Sequence, residues 1–400
     1  MRLGVLLISC LAACTARDSR PATAIADTHS WTVTELSPIQ PAPGAPGELI
    51  DPISLAVDSA GRVYVGDRKP VVIKVFDSTG ALIRLIGREG DGPGELRNAY
   101  VAVRGHWLMV HDPAADRTNF FDTSGTFVRV LNSVGNYADE VAFDAGWRAM
   151  LPMSYTRRSR ADRTGDERTA FYVRVDTLGA LLDTISVPSL AEPRYWTVRG
   201  GGHISVAAVP IPFLPQTIWG FGGDSGLLYG ASNAYTIIRA DGGRDSSFVM
   251  HRDWTPGRLD DSMRRASIER SVQWLKTEGM DEVALRKVFD LDDVPTTAPS
   301  FVRLIAEDGG RVWVQRPGHD GMTPFDILDS SGIYLGIVNV PAGLAPHIPL
   351  RIRHGLLYAA VVDEAGFPVV RRWTIQYGRD GQDGPDGRVP GAERLGVGRP

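Results

Sequence analysis

Apolar residues recur in short runs along most of this chain, and Asp/Gly turns interrupt them. Leu55-Ala-Val, Val63-Tyr-Val65 and Ile73 to Phe76 are separated by Asp58-Ser-Ala-Gly61 and by the turn after Asp67. Such runs, bounded by turn residues, read as strands. The set then returns. Tyr64-Val-Gly-Asp67 reappears as Met109-Val-His-Asp112, and Val75-Phe-Asp77-Ser-Thr-Gly80 as Phe120-Phe-Asp122-Thr-Ser-Gly125. Landmarks at 67, 77 and 80 recur at 112, 122 and 125, a step of 45 each time. A period of this length, built from short strands and turns, marks a radial array of small sheets.

Followed to the end of the chain, the pattern predicts an all-β, six-bladed β-propeller with a helical insertion between blades four and five. Blades one and two span 52–86 and 99–131. Blade three starts at 140–143 and resumes at 171–179 beyond a polar insertion at 156–169, with 203–209 as its outer edge. Blade four takes 218–222, 227–229 and 235–241; blade five takes 301–305, 310–314 and 325–332. Blade six takes 351–355, 357–361 and Trp373. Trp31-Thr-Val-Thr-Glu-Leu36 alternates but stands alone, and a lone strand needs an edge to join. The predicted edge is 369–375, which closes the ring and leaves no long unpaired flank. Within 256–295 the alternation stops. Leu259, Met263, Ala266 and Arg270, then Val272 and Leu275, then Val283, Leu285 and Val288 recur at helical spacing. Gly279 divides two predicted helices, read either as a plug over exposed blade edge or as a lid over the channel mouth.

At 400 residues with 43% hydrophobic content the chain can bury a real core, and 44 Gly with 27 Pro suit many tight turns. A net charge of −4 gives no basic footprint, so no nucleic-acid partner is expected. Arg2 followed by the apolar Leu3 to Ile8 reads as a targeting segment too short to span a bilayer. Leu11-Ala-Ala-Cys14 resembles the lipobox of bacterial lipoproteins. That resemblance implies cleavage before Cys14 and acyl chains on Cys14, which would hold the protein to a membrane. Thr15, not Asp, follows Cys14 and resembles the outer-membrane sorting class, with the globular part in the cell envelope outside the cytoplasm. The expected organisation is a signal peptide at 1–13, an acylated tether at 14–28, the propeller over 29–377 and a disordered tail at 378–400. Cys10 and Cys14 are the two cysteines, so no disulfide, thiolate nucleophile or Cys-ligated metal is expected in the folded body.

The blade formula resembles the NHL-type repeat. Here it reads Leu55-Ala-Val-Asp58-Ser-Ala-Gly61-Arg-Val-Tyr64-Val-Gly-Asp67, then Ile73-Lys-Val-Phe76-Asp77-Ser-Thr-Gly80. Gly44-Ala-Pro-Gly-Glu48-Leu49 and Gly92-Pro-Gly-Glu95-Leu96 each precede a blade, as in the six-bladed propeller lipoproteins of bacteria. The likeness covers nearly the whole mature chain and is sharpest in blades one and two. It implies a fold and an address. It names no activity, because most such lipoproteins have none assigned and one fold hosts many chemistries.

In propellers of this kind strand two ends on the face that carries the inter-blade loops. Blade by blade, that position is Asp67, Asp112, Pro152, Ser232, Arg316 and Val361. A full ring of carboxylates would point to a divalent cation. This ring stops after two blades, so Asp67 and Asp112 are read as ties for loop amides. Gly223-Asp-Ser-Gly226 looks like a protease nucleophile loop, but Asp-Ser turns also occur at Asp58, Asp77 and Asp329, and no base accompanies it. Pro93 removes a donor from Gly90-Asp-Gly-Pro-Gly94 and no helix follows, which excludes a phosphate cradle. None of the eight histidines has His-Glu-x-x-His spacing. Arg157, Arg158, Arg160, Arg163 and Arg168 read as a solvated loop, or as an attractor of anionic partners or lipid head groups. The expected function is a non-catalytic binding or scaffolding module without a cofactor. Its partner would be an unknown protein, peptide or glycan, met across a face bearing Glu48, Asp67, Glu95, Asp112 and Arg316. The alternative is a metal-dependent, lactonase-like hydrolase or lyase with a single Ca or Zn in the channel.

Overall fold

The computed structural model describes residues 30–377, apart from 133–140, 144–148, 159–165, 177–179, 187–189, 191–193, 200–205, 223–225, 241–245, 278, 308, 319–320 and 346. The leader, Cys14 and its tether, the tail, Arg160, Arg163, His203, Asp224 and Ser225 lie outside the described residues.

Strand β1 (Ser30–Ile39) opens the described chain. A first antiparallel meander follows in β2 (Pro52–Val57), β3 (Val63–Arg68), β4 (Val71–Phe76) and β5 (Leu82–Ile86). The short parallel pair β6 (Arg88–Glu89) and β7 (Glu95–Leu96) fastens the next loop. The second meander is β8 (Tyr100–Arg104), β9 (Trp107–Asp112), β10 (Arg117–Asp122) and β11 (Phe127–Asn132). The third is β12 (Ala142–Phe143), β13 (Ala149–Arg158), β14 (Asp166–Val175) and β15 (Leu181–Ser186). A separate hairpin comes next, β16 (Tyr195–Arg199) with β17 (Val206–Pro210). The fourth meander is β18 (Thr217–Gly222), β19 (Gly226–Ala231), β20 (Thr236–Ala240) and β21 (Ser246–His251). Helices α1 (Asp261–Thr277) and α2 (Glu282–Val288) follow it. Then come β22 (Arg303–Ala306), β23 (Val312–Gln315), β24 (Thr323–Leu328) and β25 (Tyr334–Val340). The last three strands are β26 (Leu350–Arg353), β27 (Leu356–Val362) and β28 (Pro368–Tyr377).

Strand β1 supplies the outer strand that β26–β28 lack. It runs antiparallel to β28 from Trp31↔Tyr377 to Leu36↔Arg372, on the edge that its alternation required. Ser30 and Trp31 also pair in parallel with Ile337 and Val338 of β25, so the last two meanders share one eight-stranded sheet.

The core is divided into wedges between neighbouring sheets. Tyr64 and Ile73 meet Val101 and Leu108; Met109 and Phe120 meet Phe143 and Val173; Ile185 meets Leu227. Leu228 and Ile237 meet Leu304 and Val312; Trp313 and Phe325 meet Leu357 and Trp373; Tyr358 and Val370 return to Leu55 and Phe76. Because each sheet is covered on both faces, β4 is buried at every position, whereas the outer strand β11 alternates. Strands β2, β8, β12, β18, β22 and β26 stand innermost and line one cavity of about 530 Å³. The architecture is mostly β and propeller-like. Near the axis the sheets touch closely: a Cβ on Gly66 would fall 1.8 Å from the Ala99 carbonyl oxygen, so only glycine fits. Ser54 Oγ donates to that same carbonyl at 2.5 Å.

Three expectations are corrected. The third meander takes β15 as its outer strand, while 206–210 pairs in the β16–β17 hairpin instead. The polar stretch at 156–169 extends β13 and β14 as a ladder out to Arg158↔Asp166. The helices cover that hairpin, not a blade edge: Val272, Leu275 and Leu285 pack with Trp196, Val198 and Val209. Their buried face also differs from the apolar spacing. Met263 is 44% and Val283 60% exposed, while Arg264 and Ser267 are buried. Arg264 is drawn inward because its guanidinium donates to Val294 O at 3.1 Å and Leu291 O at 2.5 Å, satisfying carbonyls of the returning chain.

Candidate functional site

Strand β3 ends in Asp67, which is fully buried. Its Oδ2 accepts from Ile50 N at 2.9 Å, and its Oδ1 from Asp51 N at 2.9 Å and Lys69 N at 3.1 Å. Lys74 reaches across from β4, placing Nζ 2.7 Å from Asp67 Oδ2 and donating to Glu48 O as well. One carboxylate thereby fixes the incoming loop, and one ammonium compensates it. The second meander repeats the device with a different cation. Asp112 accepts from Arg97 N at 2.8 Å and Asn98 N at 3.0 Å. Asn119 stands at the repeat position of Lys74 and carries no charge. Its buried amide has no hydrogen-bond partner among the described residues. Arg117 takes over, with Nε 3.7 Å from Asp112 Oδ2 and Nη2 donating to Glu95 O at 2.7 Å. Burial pushes the Asp112 carboxyl above its ordinary range, against the pull of the Arg97 and Asn98 amides.

The two loop glutamates close their own turns. Glu48 Oε2 accepts from Gly44 N at 2.7 Å, and Glu95 Oε2 from Gly92 N at 2.7 Å. The Gly92 amide, and then Arg88, hold the Glu95 carboxyl below its usual range. Ser232, the fourth-meander counterpart of Asp67, accepts from Gln216 N at 2.9 Å and does the same work without charge.

In the fifth meander the charges are exchanged. Arg316 stands where Asp67 does, and Asp326, three residues before Asp329 as Lys74 is before Asp77, stands where Lys74 does. Arg316 Nε lies 3.7 Å from Asp326 Oδ2. The same oxygen accepts from Tyr235 Oη at 2.9 Å and faces Arg252 Nη1 at 2.9 Å. Arg316 lies over Trp254 at 4.6 Å and Arg252 over Tyr334 at 4.0 Å. Burial, then the Asp326 charge, drive the Tyr235 hydroxyl well above its ordinary range. The five residues picked from the sequence for a ligand face therefore fall at three stations, Glu48 with Asp67 around Lys74, Glu95 with Asp112 around Arg117, and Arg316 beside Asp326.

The described lining of the cavity is basic and apolar. Arg104, Arg303, Arg351, Arg353 and His347 line it, with Ser54 and Thr217, and its described lining contains no carboxylate. Arg303 Nη2 donates to Ile348 O at 2.7 Å and Arg351 Nη1 to Leu350 O at 2.8 Å. Burial, then the Arg303 charge, lower the His347 pKa. Ser54 Oγ is engaged with Ala99 O and Val101 N. Guanidinium groups do not ligate cations, so the described part of this lining does not fit a Ca or Zn ion, which takes carboxylate or several imidazole donors. Among the described residues no group of three His, Cys, Asp or Glu is placed to hold a metal. Sequence reading missed Lys74, Asp326 and the cavity arginines. The available signal was a lone charge inside an apolar run, as in Val71-Val-Ile-Lys74-Val-Phe and Val101-Ala-Val-Arg104.

No family model and no curated protein matches the chain. Among solved structures it is similar to a Bacteroides fragilis protein described as exported, with 11% identity over 88% of this chain and 99% of that one, at a TM-score of 0.47. Virginiamycin B lyase from Staphylococcus aureus gives 11% identity over 86% and 99%, at 0.42. The PQQ-bound aldose sugar dehydrogenase of Streptomyces coelicolor gives 13% over 88% and 100%, at 0.40. At TM-scores below 0.5 these likenesses carry no argument about ligand or activity. Among the described residues no helix is long and apolar enough to cross a membrane.

Proposed function

We propose that the chain is an envelope lipoprotein, anchored through Cys14 and sorted to the outer membrane, whose six-bladed, NHL-like propeller is a non-catalytic binding or scaffolding module. One observation carries this reading. Each of the four acids expected to arm the loop-bearing face, Glu48, Asp67, Glu95 and Asp112, accepts from the protein's own amides, as Asp67 does from Ile50 and Asp51. Among the described residues no serine, base and orienting acid converge in the cavity. Reading each meander as one blade, with β1 completing the last, supports the count of six taken from the strand pattern along the chain.

The test has two arms. Cells fed an alkyne fatty acid should label the protein, and Cys14→Ser should abolish the label and release the protein to the soluble fraction. An unlabelled, soluble wild-type protein sinks the anchor. Purified protein should show no metal-dependent turnover of a lactone panel. A stoichiometric metal whose removal abolishes such turnover replaces the binding module with the hydrolase.

A further inference from the structure

We infer that Arg316, with Arg252 beside it, is an oxyanion-binding station on the loop-bearing face, taking a carboxylate or a phosphate monoester group of a ligand. This deepens the proposed function and rests on its reading of that face as a binding face. Glu48, Asp67, Glu95 and Asp112 are each closed by the protein's own amides, and Arg316 is not. Among the described residues its side chain makes no hydrogen bond; its polar contact is the 3.7 Å approach of Nε to Asp326 Oδ2. That same oxygen is already engaged by Tyr235 Oη at 2.9 Å and by Arg252 Nη1 at 2.9 Å. The charges that face Tyr235 are those of Asp326, Arg252 and Arg316, so two cations share one anion and a positive charge is left over. The chain as a whole is negative, at −4, which makes this excess a local feature.

The polar atoms around this charge call for a further partner. Arg316 Nε, Arg252 Nη1 and Asp326 Oδ1 are buried without a hydrogen-bond partner among the described residues. So is Oγ of the buried Ser300, which precedes Arg316 by the same 16 residues that separate Asp51 from Asp67. Buried polar groups are normally paired, and four orphans at one station point to a ligand. The side chains of Arg316 and Arg252 are 14% and 24% exposed, so the station opens to solvent through its cations. Both guanidiniums approach one oxygen of Asp326, so their charges act on one small volume. Trp254 lies 4.6 Å from the Arg316 guanidinium and 5.6 Å from that of Arg252, and holds both in place. Nε is the Arg316 nitrogen nearest Asp326, so the Nη pair lies farther from that carboxylate. The fork of a guanidinium matches carboxylate and phosphate oxygens two at a time.

The test uses the full mature chain and four probes with one common ring: benzoate, phenyl phosphate, benzyl alcohol and benzylamine. Ligand-observed NMR titration should give about tenfold tighter binding for an anion than for the alcohol or the amine, with affinity falling as salt rises. Benzoate against phenyl phosphate separates a carboxylate ligand from a phosphate ligand. Arg316→Gln should weaken anion binding about tenfold, and Arg316→Lys should recover part of it. Asp326→Asn removes the competing anion and should tighten binding of the same probe, a gain that structural damage does not produce. The exposed Arg265→Gln should leave binding unchanged. If Arg316→Gln fails to fold, Asp326→Asn and the head-group series on the wild type decide. Benzylamine bound as tightly as benzoate, no binding of either anion, or a folded Arg316→Gln or Asp326→Asn that binds like wild type overturns the station. Failure here leaves the non-catalytic reading standing. Phenyl phosphate that binds at Arg316 and is hydrolysed to phenol supports the station and removes that reading.

Discussion

Asp67 gathers donors from Ile50, Asp51, Lys69 and Lys74, so a single buried carboxylate joins three stretches of chain. Asp67→Ala strands an ammonium and several amides together. The expected loss is roughly 3–5 kcal/mol in urea unfolding, the range for breaking a buried pair from one side. Adding Lys74→Met should recover part of that loss, since removing both charges spares the desolvation of the survivor. Unchanged stability in the single variant would show that the loop holds without this tie. The role of Asp67 and Asp112 was legible because both recur at the same repeat position. Their compensating cations were not, because the partner is Lys74 in one meander and Arg117 in the next. The exchange of sign at Arg316 and Asp326 hides the kinship further. A repeat can conserve an ion pair while conserving neither residue, and a residue-by-residue search passes over it.

The β16–β17 hairpin and the two helices form a body of their own beside the ring. Trp196 is its hinge-pin: it stacks on Phe289 at 4.4 Å and donates Nε1 to Asp293 at 2.8 Å. Trp196→Ala should cost about 3–5 kcal/mol locally. Hydrogen exchange should then show α1 and α2 deprotected while β2–β5 stay protected. Simultaneous loss of protection in both would mean that helices and ring unfold as one unit. The existence of these helices and the break at Gly279 were legible in the sequence, and Gly279 does adopt a positive φ of 86°. Which face is buried was not legible. Apolar spacing pointed to Met263 and Ala266, whereas the inward position belongs to Arg264, whose carbonyl partners lie 27 and 30 residues downstream. The hairpin was misread for a related reason: its core is made with the helices, so local alternation in 206–209 gave no hint of which strand it joins.

The ring closes by a strand pair that brings Trp31 beside Tyr377, so the two ends of the folded body are neighbours in an antiparallel ladder. A circular permutant that links residue 377 to residue 30 by a short turn, with new ends between β23 and β24, should fold with near wild-type stability. Thermal melting of both forms checks this, and a permutant that fails to fold would show that the link distorts the seam. The radial plan itself was legible from the period of 45 and from the lone strand in need of an edge. The chemistry of the axis was not, because the lining arginines Arg104, Arg303, Arg351 and Arg353 come from three strands far apart in sequence. The seam also sets an order of events. Strand β1 precedes Pro368–Tyr377 by more than three hundred residues and must wait for it before its hydrogen bonds have a home. Until then β1 lacks its long partner, and a product cut before Pro368 lacks its keystone, so closure of the ring is one late and all-or-none event.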